Sequence, residues 1–279
     1  MNSRQTRFVA GIIGEISITR TWAFVVCLFA LAICAPEMRA QTYKDIYEFD
    51  GTTHGCCPRY PDLLAQGRDG NLYGTTAAGG IENNGVVFKM TPEGKVTLLH
   101  NFCSPNCKNG DVPTSGLVQG SDGNFYGDTF GGGILPYAGS TYQITPTGAF
   151  TAFHLFCSDS CLDGSEAGAL MQATDGNFYG TTLSGGAGGD GTVFRLSTGL
   201  GPFVAARPGF GSAGQAVTIL GNGLSGTTSV TFNGLAATFK AESDTFIRAT
   251  VPSGATSGPI VVTTPSGTLN SNVAFEISR

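Results

Sequence analysis

Charge is scarce in this sequence. Asp, Glu, Lys and Arg together make up 13% of it, and histidine occurs 3 times in 279 residues. Such low charge density excludes a long acidic or basic tail. No apolar stretch reaches the roughly 20 residues that a membrane-crossing helix needs; the run Trp22–Ala35 stops at fourteen. A nucleophile elbow, an H-E-x-x-H helix, a phosphate-binding loop and a dinucleotide fingerprint are all missing. Gly-rich runs such as Gly185–Gly189 lie between strand-like segments with no helix to follow, so they fail the context that phosphate binding requires.

What is abundant is glycine, with 42 residues, alongside Thr, Ser and 10% aromatics. That balance fits a β-rich globular chain and neither a helical nor a disordered one. The N-terminus carries Arg4, Arg7 and Arg20, then the apolar run, then Pro36–Ala40 before a polar start at Gln41. A basic region, a short apolar core and a small residue before the polar start describe a secretory signal peptide, expected over residues 1–40. Met38 fits poorly three residues before the cleavage point, which leaves the site of cleavage open. Leu31–Cys34 approximates a lipoprotein box, but Ile33 is too bulky beside the Cys, so lipidation is the minor alternative. Loss of four basic and two acidic residues with this segment takes the formal net charge from −5 to −7. A chain of that sign repels phosphate backbones, so nucleic acid is not an expected partner.

An internal repeat organises the next 160 or so residues. Asp69-Gly-Asn-Leu-Tyr-Gly74 returns as Asp122-Gly-Asn-Phe-Tyr-Gly127 and Asp175-Gly-Asn-Phe-Tyr-Gly180, each 53 residues after the last. Gly85–Met90, Gly139–Ile144 and Gly191–Leu196 follow in register, and Val96–Phe102 and Phe150–Phe156 close the first two copies. Short alternating segments separated by Asp-Gly, Gly-Gly and Pro-x-Gly turns predict antiparallel strands. Four of them per period of about 50 residues predict propeller-like blades. The units fall at about 63–102, 117–156 and 170–198. The third runs into Ser197–Pro202 before a fourth strand forms, while Tyr43–Phe49 carries the fourth-strand pattern with no unit before it. We expect this orphan strand to pair with the third unit, leaving the ring closed, open or completed by a second chain.

The D-G-N-x-Y-G-T-T and G-T-V-F-K-x-T-P-x-G patterns resemble the GloVer-type tandem repeat of secreted bacterial proteins, over about residues 43–198. The resemblance implies an extracellular repeat array with no established catalytic residues. Few copies and cysteine-bearing loops set this chain apart from that pattern. From Pro202 a new pattern begins. Ala216–Leu220, Ser229–Phe232, Thr238–Ala241, Phe246–Val251, Gly258–Thr264 and Val273–Ile277 read as sandwich strands. The G-x-x-V-T-I-x-G-x-G-L order and the V-x-F-N-G strand resemble an IPT/TIG domain, which implies an immunoglobulin-like spacer or adhesive module. The expected fold is therefore all-β: a propeller-like array of about three four-stranded repeats over 41–200 and an Ig-like β-sandwich over 201–279.

Candidate site residues reduce to a few sets. Cys56, Cys57, Cys103, Cys107, Cys157 and Cys161 recur in one loop, and export favours oxidation. Cys103–Cys107 and Cys157–Cys161 are the expected local bridges, with Cys56 and Cys57 joined to each other or to a neighbouring loop. Zinc held by His54 and these thiols is the sharper alternative, but C-x-x-x-C is not knuckle spacing. His100 and His154 recur with the repeat, as architecture demands. The Asp-Gly-Asn triplets suit hairpin turns better than calcium. Tyr73, Tyr126 and Tyr179, with Phe125 and Phe178, read as packing between blades before they read as a sugar-binding surface.

No metal and no cofactor is expected, and the binding residues stay unassigned. The expected function is a secreted, non-enzymatic structural or adhesive module of the bacterial surface, with a glycan or protein as partner. The alternative is a secreted lyase or glycosidase on the same scaffold. It needs paired carboxylates at catalytic spacing, which Asp62, Asp111, Asp128, Asp163 and Glu166 do not signal.

Overall fold

The computed structural model describes residues 42–58, 64–103, 106–135 and 137–278. The expected signal peptide and Asp62 lie outside them. Each repeat folds as the turn chemistry dictates. In the first, β1 (Leu64–Gln66), β2 (Leu72–Thr76), β3 (Val86–Met90) and β4 (Val96–Asn101) make one antiparallel four-stranded sheet in sequence order. The second repeats it with β5 (Val118–Gln119), β6 (Phe125–Thr129), β7 (Ser140–Ile144) and β8 (Phe150–Leu155). The third has β9 (Ser165–Ala167), β10 (Met171–Gln172), β11 (Phe178–Ser184) and β12 (Val193–Leu196), in the order β10-β11-β12 with β9 on the far end of β11. Beyond β12 no strand pairs among the described residues.

Glycine is required where β2, β6 and β11 meet the strands that follow. Gly139, at φ +80°, leads into β7, and a Cβ there would lie 2.4 Å from the Thr129 carbonyl oxygen. Gly85 and Gly191 hold the same post in the other two units, each at φ +93°. Only glycine combines positive φ with so close a backbone approach.

Successive sheets pack face to face through aromatic rings. Tyr73 of β2 stacks on Phe125 of β6 with centroids 3.9 Å apart, and Tyr126 of β6 meets Phe178 of β11 at 4.0 Å. At the rim, Phe102 packs edge-on to Tyr142 at 5.3 Å and Phe156 to Phe194 at 5.0 Å. These rings, with Val87, Leu117 and Ile144 in the first junction and Leu170 and Leu196 in the second, form the two inter-unit cores. The reading of the recurrent aromatics as packing groups holds for Tyr73, Tyr126, Phe125 and Phe178, all buried.

The orphan fourth strand takes a different place. Residues 43–49 form no strand, and Tyr47 and Phe49 pack on the first unit, against Val86, Phe88 and Met90. Phe49 meets Phe88 edge-on at 5.4 Å, the contact that Phe102 and Phe156 make with the unit after each. Tyr47 and Phe49 thus lie as the end of a preceding unit would. Among the described residues the expected pairing with the third unit is not formed.

The C-terminal domain is a two-sheet sandwich. β13 (Ala205–Arg207), β15 (Ala216–Leu220), β19 (Phe246–Thr250) and β18 (Thr238–Ala241) form one sheet; β17 (Leu235–Ala236), β16 (Ser229–Phe232), β20 (Ile260–Thr264) and β21 (Gly267–Asn270) form the other. A short parallel pair, β14 (Phe210–Gly211) with β22 (Glu276–Ile277), ties the ends. Strict alternation in β15 and β20 sends Val217, Ile219, Ile260 and Val262 into a core with Phe232 and Phe275.

The junction between the two parts explains the missing strand. Phe203 stands 53 residues after Phe150, where a fourth strand of the third unit would begin. Its amide instead donates to the Thr174 carbonyl at 3.0 Å, and Val204 is already in the sandwich core. Arg68 adds a clamp, its guanidinium donating to the carbonyls of Gly120 and Ser121 in the second unit and of Asn272 in the sandwich.

Because Phe178 is wholly buried against Tyr126, Phe178→Ala is expected to cost about 3–5 kcal/mol. Urea unfolding followed by tyrosine fluorescence measures it, and a loss under about 1 kcal/mol would contradict this account of the junction.

Candidate functional site

The Asp-Gly-Asn turns are closed hydrogen-bond systems. Asp69 accepts from the Asn71 amide at 3.2 Å and side chain at 2.7 Å, from Tyr73 Oη at 2.8 Å and from Lys89 Nζ at 2.8 Å. Asp122 accepts from Asn124, Tyr126 and Gln143, and Asp175 from Asn177 and Tyr179. Burial pushes the Asp69 carboxyl up, but the Lys89 ammonium and the Asn71 and Tyr73 donors outweigh it and hold the group well below the usual carboxylate range. Oxygens saturated by donors, one of them cationic, suit a turn and not a cation.

The histidines are equally tied to the repeat. His100 Nε2 lies 2.9 Å from Asn109 Nδ2 and His154 Nε2 3.0 Å from Asp163 Oδ2. Asn109 and Asp163 also accept from the Cys103 and Cys157 amides. Cys103 with Cys107, Cys157 with Cys161 and Cys56 with Cys57 lie at disulfide distance. His54 sits beside Asp50 at 3.7 Å. Asp111 comes near the Cys103 and Cys107 sulfurs, but sulfurs joined to each other offer no thiolate to a metal.

One buried acid stands apart. Asp128, where the other units have Thr75 and Thr181, is fully buried and pairs with Thr141 across the sheet. Ser115 Oγ donates to its Oδ1 at 2.9 Å, while Oδ2 and the nearby Thr141 Oγ1 find no partner among the described residues. Burial raises its carboxyl well above the ordinary range. Read from the sequence it is one of five loop acids without catalytic spacing; the structure puts it inside β6 instead, and its departure from Thr is the signal that singles it out.

The site that the repeat reading missed is a slot. In the second unit Phe150 of β8 stacks on His100 at 3.8 Å with the rings 6° from parallel. The third unit has no strand after β12, so His154 has no such ring above it. A cleft of about 380 Å³ opens there, lined by His154, Phe156, Leu162, Asp163, Val193 and Phe194. Its floor is the unpaired edge of β12. The signal that locates it is the repeat period itself, which puts a strand at this place in the other two units.

Fold and slot define a chain of repeated four-stranded β units that ends in an immunoglobulin-like sandwich. The pattern of the Gloeobacter/Verrucomicrobia repeat matches residues 60–223, and the chain belongs to that family. The IPT/TIG domain matches residues 205–277. No curated protein matches the chain. Among solved structures it is similar to a fungal alcohol oxidase of the AA5 family in complex with copper, at 14% identity and TM-score 0.35, over 75% of this chain and 52% of that one. It is also similar to a putative gluconolactonase, at 10% identity and TM-score 0.33, over 77% and 75% of the two chains. A third is SGBP-B from a complex xyloglucan utilization locus in Bacteroides uniformis, at 12% identity and TM-score 0.24, over 48% and 35%. The chain thus spans about half the length of the alcohol oxidase. Among the described residues no helix is long and apolar enough to cross a membrane.

Two outcomes are expected. With Asp128 held protonated in the fold and ionised in the unfolded chain, the unfolded state sheds its proton first as pH rises through about 4. Stability therefore falls with increasing pH above that point and is fullest below it. Asp128→Thr should raise the melting temperature more at pH 8 than at pH 4, by about 1–3 kcal/mol of stability at pH 8; equal gains at both would refute the assignment. Alkylation of the native chain should leave Cys103, Cys107, Cys157 and Cys161 unmodified until reductant is added, as peptide mass mapping would register.

Proposed function

We propose that this chain is a non-enzymatic, extracellular structural and adhesive module of the bacterial surface. Its binding element is the slot beside β12, and its ligand is an extended polypeptide. The observation that carries this reading is the shape of the slot: it has the outline and chemistry of one missing strand. A row of unpaired N–H and C=O groups offers main-chain bonds to any extended segment, and side-chain pockets select among segments. Here His154 and Phe156 supply an aromatic wall and Asp163 a polar end. The chemistry-bearing groups elsewhere support the same reading, since the turn carboxylates, histidines and cysteines are engaged in holding loops.

A panel of labelled heptapeptides with alternating aromatic and polar residues, run beside a glycan array, tests the proposal on the full chain. Peptides should bind with micromolar affinity, on the order of −8 kcal/mol. Arg195→Pro, which removes an edge N–H from β12, should abolish that binding while melting temperature stays within a few degrees. Binding of a glycan with release of product, and of no peptide, would overturn the reading in favour of a carbohydrate-active enzyme.

A further inference from the structure

The two ends of the repeat array present the two halves of the junction that adjoining units make. Cross-strand pairing puts Met171 opposite Tyr179, Tyr179 opposite Arg195 and Thr181 opposite Val193, so these side chains share one face. The same positions in the first unit are Ala65, Tyr73, Thr75 and Val87, and they form the junction with the second. Val87 and Thr141 are both 0% exposed, whereas Val193, in the third unit, is 81% exposed.

The first unit has the converse deficit. Leu117 and Leu170 bury their side chains against the preceding unit and are 6% exposed each, but their counterpart Leu64 is 54% exposed. Beside it an apolar pocket of about 220 Å³ is lined by Ile46, Tyr47, Phe49, Leu64, Phe88 and Met90.

The segment before the first unit is a fourth strand without a sheet. Tyr47 and Phe49 lie edge-on at 5.1 Å and 86°, as His100 and Phe102 do at 5.0 Å and 83° and His154 and Phe156 at 4.7 Å and 85°. Its Phe49 already makes the fourth-strand contact with the next unit. What it lacks is the neighbour that β4 finds in β3 and β8 in β7. By register Tyr43 stands where Phe150 does, and Phe150 is the ring that stacks on the histidine of the unit before.

We infer that the slot beside β12 takes residues Tyr43–Phe49 of a second copy of this chain, so that the third unit of one copy packs on the first unit of its partner. The inference rests on the proposed strand-binding slot and names its occupant. Continuity favours it: the junction repeats the plan of the two inside the chain, with Tyr43 on His154, Val193 covered, and Tyr179 toward Leu72, which stands where Phe125 and Phe178 stand in the later units. Such a head-to-tail contact closes into a ring when the rotation allows it. Three units from each of two copies give six, within the roughly four to eight that rings of four-stranded blades contain.

Sedimentation equilibrium of the full chain tests the inference. The expected mass is that of two copies at concentrations up to about 100 μM. Tyr43 is 89% exposed, like Val193 a surface group, so Tyr43→Asp and Val193→Arg should each weaken association at least about tenfold while the far-UV circular dichroism of the chain is unchanged; the melting temperature should lose its dependence on protein concentration. A synthetic peptide of residues 43–49 should dissociate the pair. A monomer at all concentrations, or association that neither substitution weakens, would overturn the inference, and assemblies larger than two copies would overturn the two-copy closure. A monomer that still binds extended peptides in the slot would leave the strand-binding reading standing, so the two failures are distinguishable.

Discussion

Everything in the repeat region hangs on the placement of one tyrosine ring per unit. In every unit its hydroxyl is held by the Asp of its own turn, and in the first two its face is laid on the ring of the next unit. The first interaction fixes the angle at which the ring leaves the sheet, and the second fixes the distance between sheets. Neither would do alone. A ring free to rotate would let the sheets slide, and a hydrogen-bonded turn without a stacked ring would leave each small sheet to bury its own face. A four-stranded sheet of this size has little apolar area to bury by itself, so stability comes from the joints between units.

That dependence explains which parts of the molecule were legible in the sequence. Turn chemistry is local, so Asp69-Gly-Asn, Asp122-Gly-Asn and Asp175-Gly-Asn announced their hairpins. The 53-residue period carried the strand boundaries with them. Alternation in Ala216–Leu220 and Ile260–Thr264 was sufficient to find the sandwich and its core. The recurrence of His100 and His154 pointed to architecture, and the loops bear that out: each ring is held by the same side chain that receives a cysteine amide.

Partners were not legible, because pattern gives a strand its faces and says nothing of its neighbours. Tyr43–Phe49 has the alternation of β4 and β8, yet it lies in no sheet, and Ile46–Phe49 covers the first unit and not the third. The burial of Asp128 was not legible for a related reason. A carboxylate in a strand reads as an outward residue until the next sheet is known to lie over it.

The passage from Phe203 into the sandwich bears on how such a molecule grows. Its backbone is committed to Thr174 on one side and to the sandwich core on the other, so no unit can be appended after the third without dismantling both. Upstream the junctions share the tyrosine that meets the next unit's phenylalanine, and the tie to the sandwich is the side-chain clamp of Arg68 on the Asn272 carbonyl. Duplication or loss of a whole period between the first and third units would change the length of the array at the cost of the Arg68 clamp, leaving the Phe203 junction intact. Copy number is thus the freely heritable variable of this architecture, and the terminal domain is the fixed stop from which it is counted.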